Sequence, residues 1–238
     1  MRNIIIGHKG EVGSSLYKIF KGKVQTDGYD LNTVIPELEL IGKYDFLHIC
    51  IPYSEKFTEI VKEYEERFKK LGGITVIHST VPVGTTRKLN AVHSPIHGIH
   101  PNLENGIKIF VKFIGGEKEP CEKVAELYRL IGIKPHIVKN SETSELSKLG
   151  CTTRHGLMII EQKEFKKLCE WYGADFEEAY TFWNGLYSMG YRELGLPYLQ
   201  RVIVKDMPGK IGGHCILSNL DLLGGPVAEF IKRRNEEL

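Results

Sequence analysis

The sequence predicts an α/β protein: a Rossmann-like, mostly parallel sheet domain followed by a smaller all-α domain with a long central helix. Three observations carry this. Up to about residue 140, short apolar, β-branched runs alternate with amphipathic stretches. A glycine turn, Gly7-His8-Lys9-Gly10-Glu11-Val12-Gly13, stands between the first such run and the first helical pattern. Beyond it, apolar residues recur at helical spacing from Thr143 to Tyr172 without interruption. Strands that are apolar throughout and separated by helices build a sheet buried on both faces, and right-handed crossovers wind it doubly.

In chain order, the pattern predicts a strand at Arg2–Ile6, a helix at Val12–Phe20 and a short strand at Lys23–Thr26. A strand at Asp45–Ile51, a helix at Glu55–Leu71 and a strand at Ile74–His78 follow. Further strands are expected at Asn90–His93, Lys108–Ile114 and Pro135–Lys139, with a helix at Cys121–Ile131. Asn140-Ser141-Glu142-Thr143 reads as a helix start, with Ser141 or Thr143 as the cap. Gly173 ends the long helix, Asp175–Tyr187 reads as a second one, residues 195–213 as mostly loop, and Asn219–Arg234 as helical again. The domain boundary is expected at 140/141.

Composition narrows the function classes. Lys and Arg number 32 against 30 Asp and Glu, which leaves no electrostatic footprint for nucleic acid or a membrane surface. No apolar run approaches the roughly 20 residues of a membrane span, and the run behind Arg2 is too short for a signal-peptide core. Five scattered cysteines without a CxxC pair argue against a disulfide framework or a zinc ribbon. The expectation is a reduced, cytoplasmic protein acting on a small molecule.

The glycine turn is the sharpest local signal. A dinucleotide site needs glycines there for the tight turn, for close approach of main chain to the pyrophosphate and for close helix–strand packing. The free N–H groups and dipole of the helix then hold the phosphates. The spacing is GxxGxxG, one residue longer than GxGxxG, a length that accompanies NADP in some families. Asp27, about 20 residues beyond Gly7, stands where a carboxylate would bond a ribose hydroxyl and repel a 2′-phosphate. The charge argument is the stronger, so the expected cofactor is NAD, with NADP possible. Cys50-Ile51-Pro52 and Ser79-Thr80-Val81-Pro82-Val83-Gly84-Thr85-Thr86 end the next strands and face the same crevice in an α/β sheet.

Together these segments carry a resemblance. Ser79–Thr86 resembles the STVPxGTT segment of the UDP-glucose/GDP-mannose dehydrogenase family, within the 6-phosphogluconate-dehydrogenase-like superfamily. Ile49–Pro52 is similar to that family's CVPTP strand end. Glu145-Leu146-Ser147-Lys148-Leu149 resembles its AELxKL helix start, and Pro208–Ile216 its PGxGxGGHCI segment. The resemblance implies an NAD-dependent oxidation of a primary alcohol to an acid, with Cys215 as nucleophile and Glu145 among the cofactor contacts. By continuous alignment, Met158 and Thr152 occupy the places of a polarising lysine and an asparagine, and Asn102 that of a general-base glutamate. Only 23 residues follow Cys215, too few for the family's nucleotide-binding third domain. The expected substrate is therefore a small, non-nucleotide hydroxyl or carbonyl compound.

His93, His97 and His100 crowd one loop, with His78 close before it. No acid or cysteine completes a metal site, so no metal is expected. His97, His100 or His214 is expected beside the reacting carbon as base or hydrogen-bond donor. The aromatic series from Tyr172 to Tyr191 reads mainly as helix packing. A long helix with two apolar flanks predicts a homodimer through that helix. Two other readings stay open: a methyltransferase-like enzyme with S-adenosylmethionine in the glycine crevice, and a non-catalytic cofactor-binding protein.

Overall fold

The computed structural model describes residues 1–31, 42–98, 103–212 and 214–238. It divides into two compact units, Met1–Leu149 and Gly150–Leu238. The division falls inside the long helix, whose first turns belong to the first unit.

The first unit opens with β1 (Arg2–Ile6), α1 (Glu11–Phe20) and β2 (Gln25–Tyr29), then β3 (Tyr44–Ile49), α2 (Phe57–Phe68) and β4 (Lys69–Ile77). Then come α3 (Thr85–Lys88), β5 (Val92–His93), α4 (Leu103–Ile109), β6 (Lys112–Ile114), α5 (Lys118–Leu130) and β7 (Pro135–Ile137). Five strands form one parallel sheet in the order β2-β1-β3-β4-β5. Strands β6 and β7 pair in parallel as a second sheet, joined to β5 by an antiparallel bridge between His93 and Gly115.

The two-residue period of a strand divides the core. Ile5, Phe46, Val76 and Val92 pack on one face with Leu16, Phe20, Val124 and Tyr128. Ile4, Ile6, Leu47, Ile49 and Ile77 pack on the other with Phe57, Val61 and Phe68. Apolar residues at every strand position are what a sheet covered on both faces requires.

Several boundaries depart from the sequence reading, among them the start of β4, which begins at Lys69 inside the stretch expected as helix; three have a clear tertiary reason. Strand β2 starts two residues and ends three residues later than expected, because it pairs from Arg2↔Gln25 to Ile6↔Tyr29. The stretch expected as one strand at Lys108–Ile114 is the end of α4 and then β6, since Leu103 and Ile107, one turn apart, both bury in the core. The long helix α6 (Ser141–Tyr172) is capped by Asn140, whose Oδ1 accepts from the Thr143 N–H at 2.9 Å, rather than by Ser141 or Thr143.

The second unit holds the rest of α6, a π-helical turn at Glu177–Phe182, α7 (Trp183–Glu193), a 3₁₀ turn at Pro197–Leu199, α8 (His214–Leu223) and α9 (Gly225–Glu236). The helix expected at Asn219–Arg234 is thus two helices, parted at Gly224, whose φ of +65° no helix interior accepts. The core of this unit is small: Ile160, Ile211, Ile216, Leu220, Ala228 and Ile231. Among the described residues, no helix is long and apolar enough to cross a membrane.

Candidate functional site

The glycine turn lies between β1 and α1, and its glycines differ in what requires them. Gly7 sits at φ +79°, and a Cβ there would stand 2.6 Å from the Cys50 carbonyl oxygen. A Cβ on Gly13 would run into the Gly7 carbonyl and the His8 Cα. Both are demanded by packing within the protein. Gly10 is different: its φ of −69° suits any residue, it is exposed, and a Cβ would meet only the Gly7 oxygen at 3.3 Å. Packing constrains this glycine least of the three. Gly10 is also the N-cap of α1 and has no side chain with which to cap it.

The extra residue of the turn is accommodated by a neighbouring strand. The His8 ring lies over Gly28 of β2, where a Cβ would stand 2.5 Å from its Cγ, and its buried Nδ1 lacks a partner among the described residues. Lys9 and Glu11 are exposed, and Val12 packs against the core.

Asp27 is not at the end of β2. Its carboxylate accepts from Arg2 Nη2 at 3.1 Å and from the Tyr44 hydroxyl at 2.8 Å, two residues before the strand ends. The residue that follows β2 is Asp30, whose Oδ2 accepts from the Lys9 N–H of the glycine turn at 3.1 Å. The carboxylate beside the turn is therefore Asp30, and the strand ended too early in the sequence reading reveals why it was missed.

The ends of β3 and β4 do come together with the turn. Gly7 approaches Cys50 and Ile51 closely, and the Ser79 hydroxyl donates to the Ile51 carbonyl at 2.5 Å. Pro52 is exposed, and Thr80 half-buried. Cys50 packs against the apolar core, and burial pushes its thiol up to about 12, so it is no nucleophile. Glu145, fully buried, accepts from the Gly84 and Thr86 N–H groups at 2.6 and 2.8 Å. It caps α3 and anchors the hydroxyl-rich segment, so its carboxylate is engaged by main chain rather than offered to a cofactor. One helical turn on, Lys148 Nζ donates to the Ile96 carbonyl at 2.8 Å. That places a cation at the histidine loop which the sequence reading did not single out; its i, i+3 spacing from Glu145 was the available signal.

The histidines separate into structural and accessible ones. His93 is buried, with Nδ1 2.9 Å from the Ser144 hydroxyl and Nε2 3.2 Å from the Ser79 carbonyl, and burial lowers its pKa to about 3. His78 is equally buried, bonded through Nδ1 to the Ser94 carbonyl at 2.8 Å and through Nε2 to His48 at 3.0 Å. His97 is half-buried, its ring edge-on to Phe113, and its buried Nδ1 has no partner among the described residues. Burial, then the Lys148 and Lys112 charges, lower it to about 4, so it is neutral near pH 7. His100 and Asn102 lie outside the described residues. Among the described residues no group of histidines, cysteines and acids could hold a metal ion.

In the second unit, Cys215 is exposed in the first turn of α8, and nothing is described of the His214 side chain beside it. A cavity of about 570 Å³ is lined from α6 by His155, Ile159, Gln162 and Lys163, and from the following segment by residues that include Lys205 and Lys210. Gln162 is fully buried, and its Oε1 is without a partner among the described residues. Met158 and Thr152 are half-buried, and the Thr152 hydroxyl accepts from Asn219 Nδ2 at 3.1 Å.

No protein-family model matches the chain. It is 26% identical over 220 aligned positions to a UDP-N-acetyl-D-mannosamine dehydrogenase of Methanocaldococcus jannaschii, covering 87% of this chain and 47% of that protein. The like-named protein of Methanococcus maripaludis is 27% identical over 218 positions, with 87% and 46% covered. The chain thus spans about half the length of these curated relatives. Among solved structures, a Pyrococcus horikoshii UDP-D-ManNAc dehydrogenase superposes with a TM-score of 0.79 at 21% identity, covering all of this chain and 68% of that one. A Mycobacterium tuberculosis 3-hydroxyisobutyrate dehydrogenase superposes with a TM-score of 0.73 at 13% identity, covering 100% and 93%. The resemblance to nucleotide-sugar dehydrogenases and the Rossmann-like fold both hold.

Proposed function

We propose that this chain is an NAD-dependent dehydrogenase of the UDP-sugar dehydrogenase type. The observation that carries the reading is Gly10, the glycine of the turn that packing constrains least, at the N-terminus of α1. In this reading the Gly7–Gly13 amides hold the coenzyme diphosphate, and Asp30 takes the ribose hydroxyls and disfavours a 2′-phosphate. NADP then binds more weakly. Ser79 and Thr80 line the same crevice. NAD, when bound, supplies the hydride acceptor.

The chain's own groups supply the rest. The exposed Cys215 thiol is the nucleophile that, as thiolate, adds to an aldehyde carbon and holds it covalently. Lys148, in the first unit, places a positive charge beside the histidine loop. Neutral His97 serves as hydrogen-bond acceptor or donor. The cavity within the second unit is read as a substrate site. On its wall, Lys163 Nζ donates to the Met207 carbonyl at 2.6 Å. The walls are mostly apolar and, among the described residues, Lys205 and Lys210 line them without a carboxylate, which suits an anion with an apolar part. A sugar carrying a nucleoside diphosphate is such an anion, and the relatives act on UDP sugars by name. They lend no support to the expectation of a non-nucleotide substrate, nor to the methyl-transfer reading. We further propose a homodimer and a reduced cytoplasmic setting, the latter from the absence of disulfides among the described cysteines.

Calorimetric titration with NAD, NADP and S-adenosylmethionine tests the reading. NAD is expected to bind most tightly, and Gly10→Ala to weaken it by at least about tenfold while the protein stays folded. A wild-type chain that binds no nicotinamide dinucleotide, or a Gly10→Ala protein that binds it unchanged, overturns the proposal.

A further inference from the structure

Three consecutive carbonyls after β5 are held by two lysines. Lys112, the first residue of β6 and 2% exposed, places Nζ 2.6 Å from both the Ser94 and the Pro95 oxygens. Lys148 donates to the next, the Ile96 oxygen, at 2.8 Å. Around this pair the loop is fixed again: His78 Nδ1 donates to Ser94 O, the Ser94 hydroxyl donates to Phe113 O at 2.8 Å, and the Tyr128 hydroxyl donates to Ser94 Oγ at 3.0 Å. His97 is the residue this backbone then presents, with Phe113 of β6 against its ring.

A lysine in such a place is a poor stabiliser. Withdrawing an ammonium from water costs several kcal/mol, and an apolar side chain of similar volume often fills the space as well or better. Burial, with the Lys148 charge acting in the same direction, pulls Lys112 well below the ordinary lysine range. What an apolar residue cannot do is donate to two adjacent carbonyls at once.

We propose that Lys112 is a positioning residue: from inside the fold it bridges the Ser94 and Pro95 carbonyls and, with Lys148 on the next one, holds His97 in place at the crevice. That His97 serves the reaction rests on the dehydrogenase reading; that Lys112 sets its position does not. The groups that face His97 from the packed elements are His93 of β5, Lys148 of α6 and Lys112 and Phe113 of β6. None is acidic, so its environment depends on where the loop is held.

The experiment is NMR of the full chain with labelled histidine and lysine side chains, the His97 resonances assigned by their loss in His97→Gln. In the wild type, the Lys112 Nζ protons are expected to exchange slowly with water, and His97 to titrate at about 4. In Lys112→Met, which keeps the bulk and removes the donors, His97 is expected to titrate at least about one unit higher, through the lost Lys112 charge and the water its ring gains. Its ring protons are expected to lose the shift that Phe113 imposes, which the lost charge alone would not change. An unchanged His97 titration or an unchanged ring-proton shift in folded Lys112→Met overturns the proposal. If that variant does not fold, the wild-type lysine signal decides: fast-exchanging Lys112 protons overturn the proposal, and protected ones support it. Neither readout involves a coenzyme, so failure here and failure of the dehydrogenase reading are separate results.

Discussion

The two units spend their apolar side chains differently. In the first, clusters on both faces of the sheet take in almost every large aliphatic residue of the strands. In the second, six buried residues form the core, while Trp171, Tyr172, Phe182, Trp183, Leu194 and Tyr198 are each more than 60% exposed. A sheet with helices on both faces closes its own core, but a long helix with two apolar flanks cannot. The contrast teaches that the first unit is complete as it folds, and it supports the proposal that the second is completed by another copy of the chain.

Acid offers the largest separation of the two. His48 and His93, both in the first unit, have folded-state values lowered to about 3 from 6.5 by burial. Their contribution is full above the unfolded value and is lost as pH falls toward the folded one, because the unfolded chain then binds protons that the folded chain refuses. Between pH 7 and pH 5 the two together remove about 4 kcal/mol. Among described side chains the second unit buries no histidine. Urea unfolding at both pH values, read by hydrogen exchange in each unit, should show the first unit failing selectively; equal losses would erase the distinction.

Within the first unit, two glycines three residues apart sharpen the comparison between packing and function. Gly13→Ala should destabilise by about 3 kcal/mol, since its methyl overlaps the Gly7 carbonyl, while Gly10→Ala should stay within about 1 kcal/mol. Denaturant midpoints check both. In the second unit, Trp171→Lys combined with Trp183→Lys should halve the mass seen by sedimentation equilibrium. A wild-type monomer at tens of micromolar would break the lesson drawn from those exposed rings. The smallest effect concerns Asp30, which touches the turn and little of the core: Asp30→Ser should narrow the preference for NAD over NADP by about tenfold, or ~1.4 kcal/mol.

Much of the first unit was legible because its signals are local. Short β-branched apolar runs such as Arg2–Ile6 read as strands from a few residues, and the GxxGxxG turn declared itself between strand and helix. The misreadings came where a partner decides. Thr26 to Tyr29 carries Asp27 and Gly28, poor strand residues, and they are strand only because β1 pairs with them and His8 lies over Gly28. That shift alone exchanged Asp27 for Asp30 as the acid beside the turn. Glu145 belonged to a motif, but that its carboxylate would be consumed by two amides of α3 was written nowhere near it in the chain.

By itself the sequence determined the class of fold, the run of strands and helices, and the location of the glycine turn and of Cys215, because periodicity and backbone freedom act over a few residues. Which acid stands at the turn, which histidine is sealed in the interior and which lysine reaches which carbonyl were decided only by tertiary structure. A hydrogen bond over 2.6 Å, such as that from Lys112 to the Ser94 carbonyl, requires a side chain to meet main chain 18 positions away, and no local preference encodes that meeting.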